Sequence, residues 1–181
     1  MTLDDRVSSF TSRSFTLSTK TADTGVLTFT NSTLIGIVSP TAVQKEGDDF
    51  GHNPDKVAAT LRTLKAHPGR VIAFFQPHGY GPLRQMGSEL AQTFARELGA
   101  DDLTVLCDPV YFGGTVDRSV GSERIVELIR EAGGKAEYVP SREDCAGLVR
   151  KLSRPGDRIV VMGARDDTLS QYAAKLLETL G

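Results

Sequence analysis

Short apolar runs alternate with longer amphipathic segments from Asp48 to the carboxyl terminus. Residues 71–75 form a continuous apolar run, which is typical of a strand buried on both faces of a parallel sheet. In the segment before this run, Val57, Leu61 and Leu64 recur at helical spacing. Strands that alternate with helices imply right-handed crossovers. The sequence therefore predicts an α/β fold, a three-layer Rossmann-like domain with a doubly wound, mainly parallel sheet.

The amino-terminal segment has a different composition from the rest of the chain. It is rich in Ser and Thr and shows no helical period. Only Val26–Phe29 and Leu34–Val38 have the β-branched character of strands. We predict that residues 1–46 are an arm or short strands of uncertain role, and that residues 47–181 form the Rossmann-like domain.

Composition limits the classes of function. The chain has 181 residues, a length that predicts one compact domain. Its 21 Lys and Arg against 23 Asp and Glu give a net charge of −2, so no nucleic-acid partner is expected. Its apolar runs are far shorter than the roughly 20 residues of a membrane helix, so no membrane association and a cytoplasmic location are expected. The two cysteines, Cys107 and Cys145, are widely spaced in the sequence. We therefore expect them to be reduced packing residues and expect no cysteine-based zinc site.

Polar and glycine-containing loops follow the predicted strands. In a doubly wound sheet, ligands bind outside the carboxyl ends of the strands, where such loops converge. Asp48 and Asp49 offer oxygen atoms to a ribose or a magnesium ion, or equally serve turn and capping roles. His52 and Asn53 lie just before a helix that begins at Pro54, near backbone amides that attract phosphate.

The second loop, 76–82, is followed closely by Arg84. Its two glycines let backbone amides approach an anion, and Arg84 provides a fork for phosphate or carboxylate, although tight turns and a solvated arginine are the alternative. The loops after the next strand and after the last strand add further polar groups. The predicted substrate-binding residues are His78, Tyr80, Arg84, Asp108, Tyr111, Arg165 and Asp166.

Several common catalytic motifs are missing from these 181 residues. There is no G-x-x-x-x-G-K-[ST] loop for a triphosphate and no G-x-S-x-G elbow. Gly79 and Gly81 are followed by Gly87, which is too late for a dinucleotide fingerprint, and the three histidines lack metal-ligand spacing. A self-sufficient kinase, dehydrogenase, hydrolase or zinc enzyme is therefore not expected.

Three sequence strings carry a resemblance to a known family. They are Asp48-Asp-Phe-Gly-His-Asn-Pro-Asp-Lys-Val-Ala-Ala-Thr-Leu61, Phe75-Gln-Pro-His-Gly-Tyr80 and Val161-Met-Gly-Ala164. Together they resemble the C-terminal domain of Mur ligases, most closely the branches that join L-alanine to UDP-N-acetylmuramate or ligate muropeptides. The similarity extends over about three quarters of the chain, from Asp48 to the end.

The resemblance implies part of an ATP-dependent amide ligase of bacterial cell-wall (peptidoglycan) synthesis, in which a carboxylate is phosphorylated and then attacked by an amine. It implies ATP and Mg²⁺ as cofactors shared with other domains, and a UDP-muramyl-type substrate with an amino acid or peptide. By the same resemblance, Asp48, Asp49 and Asn53 contact the nucleotide, His52 lies in the reaction zone and His78 receives the substrate. A partner chain or domain that carries the P-loop is expected, and no activity is expected without it.

The second motif departs from the alanine-ligating branch. That branch has arginines where this sequence has Gly79 and Pro82, so the resemblance does not extend to alanine specificity. Two other readings stay open: a stand-alone module that binds a nucleotide or an anionic sugar, and a truncated, non-catalytic product.

Overall fold

The computed structural model describes residues 25–30, 33–38, 54–110, 115, 117–163 and 168–180. For the first two segments and for Ser170, only the backbone is described. Six strands in the described segments form one sheet of order β1-β2-β6-β3-β4-β5. These strands are β1 (Gly25–Thr30), β2 (Thr33–Val38), β3 (Val71–Gln76), β4 (Leu103–Leu106), β5 (Ala136–Tyr138) and β6 (Arg158–Gly163).

Five of these strands run parallel, and β1 pairs antiparallel with β2. The strand β6 comes last along the chain but lies between β2 and β3, pairing with both. The prediction of a mainly parallel, doubly wound sheet is confirmed. Both strands expected in the amino-terminal segment are present, and β2 is an interior strand of the sheet. The domain boundary between residues 46 and 47 stays a prediction.

Helices cover both faces of the sheet, so the fold has three layers. One apolar cluster joins the first three helices to the sheet, and a second cluster joins the last two to the opposite face. The helices are α1 (Pro54–Lys65), α2 (Tyr80–Glu97), α3 (Ser122–Glu131), α4 (Arg142–Leu152) and α5 (Leu169–Leu180). None of these described helices has the length and apolarity of a membrane span.

The strand β3 is buried along its whole length because both helical layers pack on it. Ala73 and Phe75 belong to the first cluster, whereas Ile72 and Phe74 belong to the second. Phe75 meets Phe94 of α2 edge-on at 5.6 Å between ring centroids, and Phe74 lies 5.0 Å from the ring of Tyr172 in α5. This explains why the run is apolar without alternation.

The second helix begins earlier than the sequence predicts. Residues 76–82 were expected to form a loop, but Gln76 ends β3 and α2 begins at Tyr80. Proline is tolerated at Pro82 because the first-turn N–H groups of a helix have no intrahelical partner. Leu83 N–H then donates to Gly79 C=O at 3.3 Å. Tyr80 and Pro82 therefore belong to a helix start.

A buried carboxylate holds the amino-terminal edge of the sheet together. Asp102 Oδ1 accepts from Val71 N–H at 2.7 Å, and Oδ2 accepts from Gly99 N–H at 2.6 Å. Lys65 Nζ lies 2.7 Å from the same Oδ2. One side chain thus connects the end of α1, the start of β3 and the turn before β4.

We expect Asp102→Ala to lower the free energy of unfolding by about 3 kcal/mol, because it leaves two backbone donors and a lysine without their acceptor. Urea unfolding followed by circular dichroism measures this change. The adjacent Asp101 is the matched control, since its side chain is 95% exposed and lies 3.9 Å from Lys135. Asp101→Ala should change stability by no more than about 0.5 kcal/mol. Equal effects of the two substitutions would contradict this account.

Candidate functional site

The order in which the chain adds strands to the sheet changes direction between the parallel neighbours β3 and β6. The helix that follows β3 packs on one face of the sheet, and the helix that follows β6 packs on the other. A crevice forms at such a switch point, outside the carboxyl ends of the strands. Gln76 is paired in register with Gly163 at this point. We define the carboxyl edge as these two residues together with the described residues that follow β3, β4 and β5.

Backbone hydrogen bonds join the loops of the carboxyl edge. Val110 N–H donates to Pro77 C=O at 3.0 Å, which ties the loop after β4 to the loop after β3. Asp108 N–H donates to Pro140 C=O at 3.1 Å, which ties the same loop to the one after β5. These bonds satisfy backbone groups beyond the sheet and fix the relative positions of three loops.

The structure places three predicted substrate-binding residues around the start of α2. His78 is half-buried in the turn between β3 and α2, and Tyr80 is the first residue of the helix. The Arg118 guanidinium carbon lies 5.6 Å from the centroid of the Tyr80 ring. Arg84 is exposed and lies 2.9 Å from Asp117. The segment before α3 is thereby held against α2 by a cation–π contact and a surface ion pair.

Asp108 is a fourth predicted residue, and the structure gives it a partner that the sequence did not reveal. The Tyr138 hydroxyl, at the end of β5, donates to Asp108 Oδ1 at 2.6 Å. This hydrogen bond, with burial, raises the pKa of Tyr138 above its ordinary value. The bond joins the ends of β4 and β5 and fixes the direction of the carboxylate.

Arg142 is a functional candidate that the sequence analysis missed. It is the first residue of α4, and Nη1 lies 3.0 Å from Thr168 Oγ1 and 3.5 Å from Gln76 Oε1. Its guanidinium carbon is 5.3 Å from the centroid of the Tyr172 ring. A polar residue at the end of an otherwise apolar strand, Gln76, was the one sequence signal for this cluster.

The remaining predicted site residues lie outside the described residues. They are Asp48, Asp49, His52, Asn53, Tyr111, Arg165 and Asp166. Their assigned roles stay predictions.

Within the described segments, no three His, Cys, Asp or Glu side chains come together as metal ligands. Cys107 and Cys145 are free and buried, and burial raises the pKa of both thiols, that of Cys145 to about 12. Both side chains are therefore protonated at neutral pH and pack within the second apolar cluster.

Comparison with known proteins decides the family. Residues 39–165 match the family model described as Mur ligase, glutamate ligase domain. The chain belongs to the Mur ligase family. It is 35% identical over 136 residues to UDP-N-acetylmuramate–L-alanine ligase of Rhizobium meliloti, an alignment that covers 74% of this chain and 27% of the relative. The Mur ligase domain thus spans about a quarter of the length of this curated relative.

Solved structures share the fold of this Mur ligase domain. A murein peptide ligase from Psychrobacter arcticus superposes with a TM-score of 0.55 at 21% identity, covering 83% of this chain and 28% of that one. A UDP-N-acetylmuramate–alanine ligase from Thermotoga maritima gives a TM-score of 0.51 at 19% identity, covering 80% of this chain and 26% of that one. Both matches show the same architecture.

Gly163 of the Mur ligase domain has no room for a side chain. A Cβ there would stand 2.6 Å from Leu169 Cδ1 and 3.0 Å from Gln76 C=O. We expect Gly163→Ala to lower stability by about 1–3 kcal/mol, because the end of β6 must shift. On the exposed side of α4, by contrast, a Cβ at Gly147 would meet nothing within 4 Å. Gly147→Ala should therefore raise the free energy of unfolding by about 0.5–1 kcal/mol, because alanine favours the helix. Thermal unfolding of both variants tests the pair, and destabilisation by both would contradict the steric account.

The bond between Tyr138 and Asp108 predicts a pH effect. The folded domain holds Tyr138 protonated above pH 10, whereas the unfolded chain ionises there, so this contribution to stability is present below about pH 10 and is lost as pH rises further. Asp108→Asn removes the charge that opposes ionisation, so one tyrosine should ionise at lower pH. Absorbance at 295 nm, recorded as a function of pH for the wild type and for Asp108→Asn, measures the ionisation of the tyrosines.

The control for this titration is the double variant Asp108→Asn/Tyr138→Phe. Its curve should lack the absorbance step that Asp108→Asn shows at lower pH, because Tyr138 is the residue that produces this step. Identical titration curves for wild type and Asp108→Asn would show that the carboxylate does not control Tyr138.

Proposed function

We propose that this domain contacts the nucleotide and the incoming amino acid in an ATP-dependent Mur-type amide ligase of peptidoglycan precursor synthesis. The observation that carries this proposal is the carboxyl edge, where His78, Asp108 and Arg142 follow three neighbouring strands of a Mur ligase fold and Arg142 contacts Gln76 at the switch point. The curated relatives that support it are named UDP-N-acetylmuramate–L-alanine ligases. Because the chain spans about a quarter of their length, their ATPase function is taken to reside in a separate domain.

The reaction requires an acyl phosphate to meet an amine in the absence of water. We assign His78, Tyr80 and the Asp108–Tyr138 pair to the wall that receives the substrate. Rigid placement of these groups favours the reaction because it reduces the entropy lost in orienting two reactants. Closure of the domain over an ATPase would also exclude water, which competes with the amine for the acyl phosphate.

The other predicted residues complete the proposed site. His52 is assigned to the reaction zone, and Asp48, Asp49 and Asn53 to the nucleotide. Tyr111, Arg165, Asp166 and Arg84 are assigned to the substrate.

ATP would supply the phosphoryl group, and Mg²⁺ would accompany it. Among the described residues, no three His, Cys, Asp or Glu side chains come together as metal ligands, and no described residue is assigned to Mg²⁺. We therefore assign the metal ligands to the ATPase domain and derive no step through the metal here.

Reconstitution tests the proposal. The chain is joined to the first two domains of the Rhizobium meliloti alanine ligase in place of that enzyme's own C-terminal domain. Phosphate release is measured with Mg-ATP, UDP-N-acetylmuramate and a panel of amino acids. We expect amino-acid-dependent release from the chimera and none from the chain alone.

A matched pair of variants in the chimera tests the site. His78→Ala should lower turnover about tenfold or more, because we assign His78 to the wall that receives the substrate. Ser88→Ala, on the exposed side of α2, should leave turnover unchanged. Amino-acid-dependent ATP hydrolysis by the isolated chain would refute its dependence on an ATPase domain. An inactive chimera, beside an active enzyme rebuilt with its own C-terminal domain, would refute the assigned role.

A further inference from the structure

We propose that two copies of this chain associate through α4, as an antiparallel pair of helices that cross at Gly147. A two-fold interface uses the same surface of both copies, so this surface must complement itself in charge and shape. The inference is independent of the proposed function, because no residue assigned to the nucleotide or the substrate lies on this surface.

The outward face of α4 is centred on Gly147. Cys145 and Val149 are buried in the second apolar cluster, so the opposite side of the helix points away from the sheet. With about 3.6 residues per turn, the charged residues of that side lie within about 60° of Gly147 around the helix axis. The outward face consists of five exposed residues, Glu143, Asp144, Gly147, Arg150 and Lys151.

The order of the charges makes the outward face self-complementary. Its two carboxylates lie in the first turn of α4, and its two cations lie in the last turn. When a second α4 runs antiparallel and crosses at Gly147, Glu143 lies opposite Arg150 of the second copy, and Asp144 lies opposite Lys151. The two-fold axis repeats both contacts, which gives four ion pairs. A parallel pair of helices would place like charges together, so the charges select the antiparallel orientation.

Packing inside the chain does not require the glycine at the centre of this face. The helix dipole favours acidic residues in the first turn and basic residues in the last turn, but it does not favour a glycine between them. Glycine is less favourable than alanine in a helix interior, and a Cβ at Gly147 would meet no described atom within 4 Å. At a crossing point, by contrast, the missing side chain lets two helix backbones approach closely.

The charged side chains of the outward face are available to a second copy. Within the described residues, Glu143, Arg150 and Lys151 form no ion pair. By contrast, Arg62 in the last turn of α1 pairs with Glu97 of α2. The charges of α4 therefore remain to pair across an interface.

A groove beside the outward face gives room for the second helix. It lies between α4 and α5, has a volume of about 270 Å³ and is lined in part by Ala146, Gly147 and Leu176. Apolar surface of this kind gains free energy when side chains of a second copy displace water from it. The interface then combines an apolar contact with charged groups at its rim.

Sedimentation equilibrium of the full chain tests the inference. We expect a monomer–dimer equilibrium whose dissociation constant rises at least about tenfold between about 50 mM and about 500 mM NaCl, because salt screens exposed ion pairs. Two charge-reversed variants, Glu143→Lys/Asp144→Lys and Arg150→Glu/Lys151→Glu, should each stay monomeric because like charges then meet. Their mixture should form a one-to-one heterodimer, since the two reversed faces restore all four ion pairs.

Gly147→Gln tests the crossing point. Its side chain should keep the two helices apart and raise the dissociation constant at least about tenfold, while circular dichroism should show an intact fold because glutamine favours a helix. The matched control is Glu89→Lys/Asp101→Lys, which changes the net charge as much as Glu143→Lys/Asp144→Lys but lies at other exposed positions. This control should dimerise as the wild type does.

Three results would overturn the inference. The first is a wild-type chain that stays monomeric at millimolar concentration. The second is a pair of charge-reversed variants that do not combine when mixed. The third is dimerisation of Gly147→Gln with the affinity of the wild type.

Discussion

The pairing of β6 with both β2 and β3 is the constraint on which this structure depends. The strand β6 fills a place between two earlier strands, so the sheet of described strands is complete only after residue 163 has been made. Insertion at this place buries β6 on both faces and along both edges, which requires an apolar strand. It also forces the helices after β3 and β6 onto opposite faces, and this divergence creates the crevice.

The two edges of the sheet use charge in different ways. At the amino-terminal edge, charged groups satisfy the backbone: Asp102 accepts from two N–H groups, and Arg158 donates to the carbonyls of Leu64, His67 and Gly69 at the end of α1. Burial lowers the pKa of Arg158, and this desolvation is a cost that the three carbonyl contacts offset. At the carboxyl edge, by contrast, Asp108 and Arg142 are only partly buried.

Most of the fold could be predicted because apolar patterning is a local property of the sequence. The uninterrupted run of β3 indicated burial between two helical layers, and helical spacing from Val57 to Leu64 indicated the core-facing side of α1. The start of α2 could not be predicted, since glycine and proline at 81 and 82 are typical of both a turn and a first helical turn. The position of β6 in the sheet was equally inaccessible, because strand order depends on contacts between distant segments.

The candidate site was only partly predictable for the same reason. Asp108 and His78 could be named because they follow apolar runs directly. The partner of Asp108 lies 30 residues away at Tyr138, and Arg142 meets Gln76 across 66 residues. Such pairs exist only when β4, β5 and β3 are already adjacent, so they follow from sheet order and not from local spacing.

Sheet order also bears on the proposed function, in which a domain without a P-loop motif would act beside an ATPase. The bonds from Val110 to Pro77 and from Asp108 to Pro140 hold the loops after β3, β4 and β5 to one another, and Arg142 adds a contact to Thr168, the residue before α5. In the proposed function, loops tied in this way would let the domain close on an ATPase as one unit, with these polar groups already placed. These groups would then lose their conformational entropy when the domain folds, and not again in each catalytic cycle.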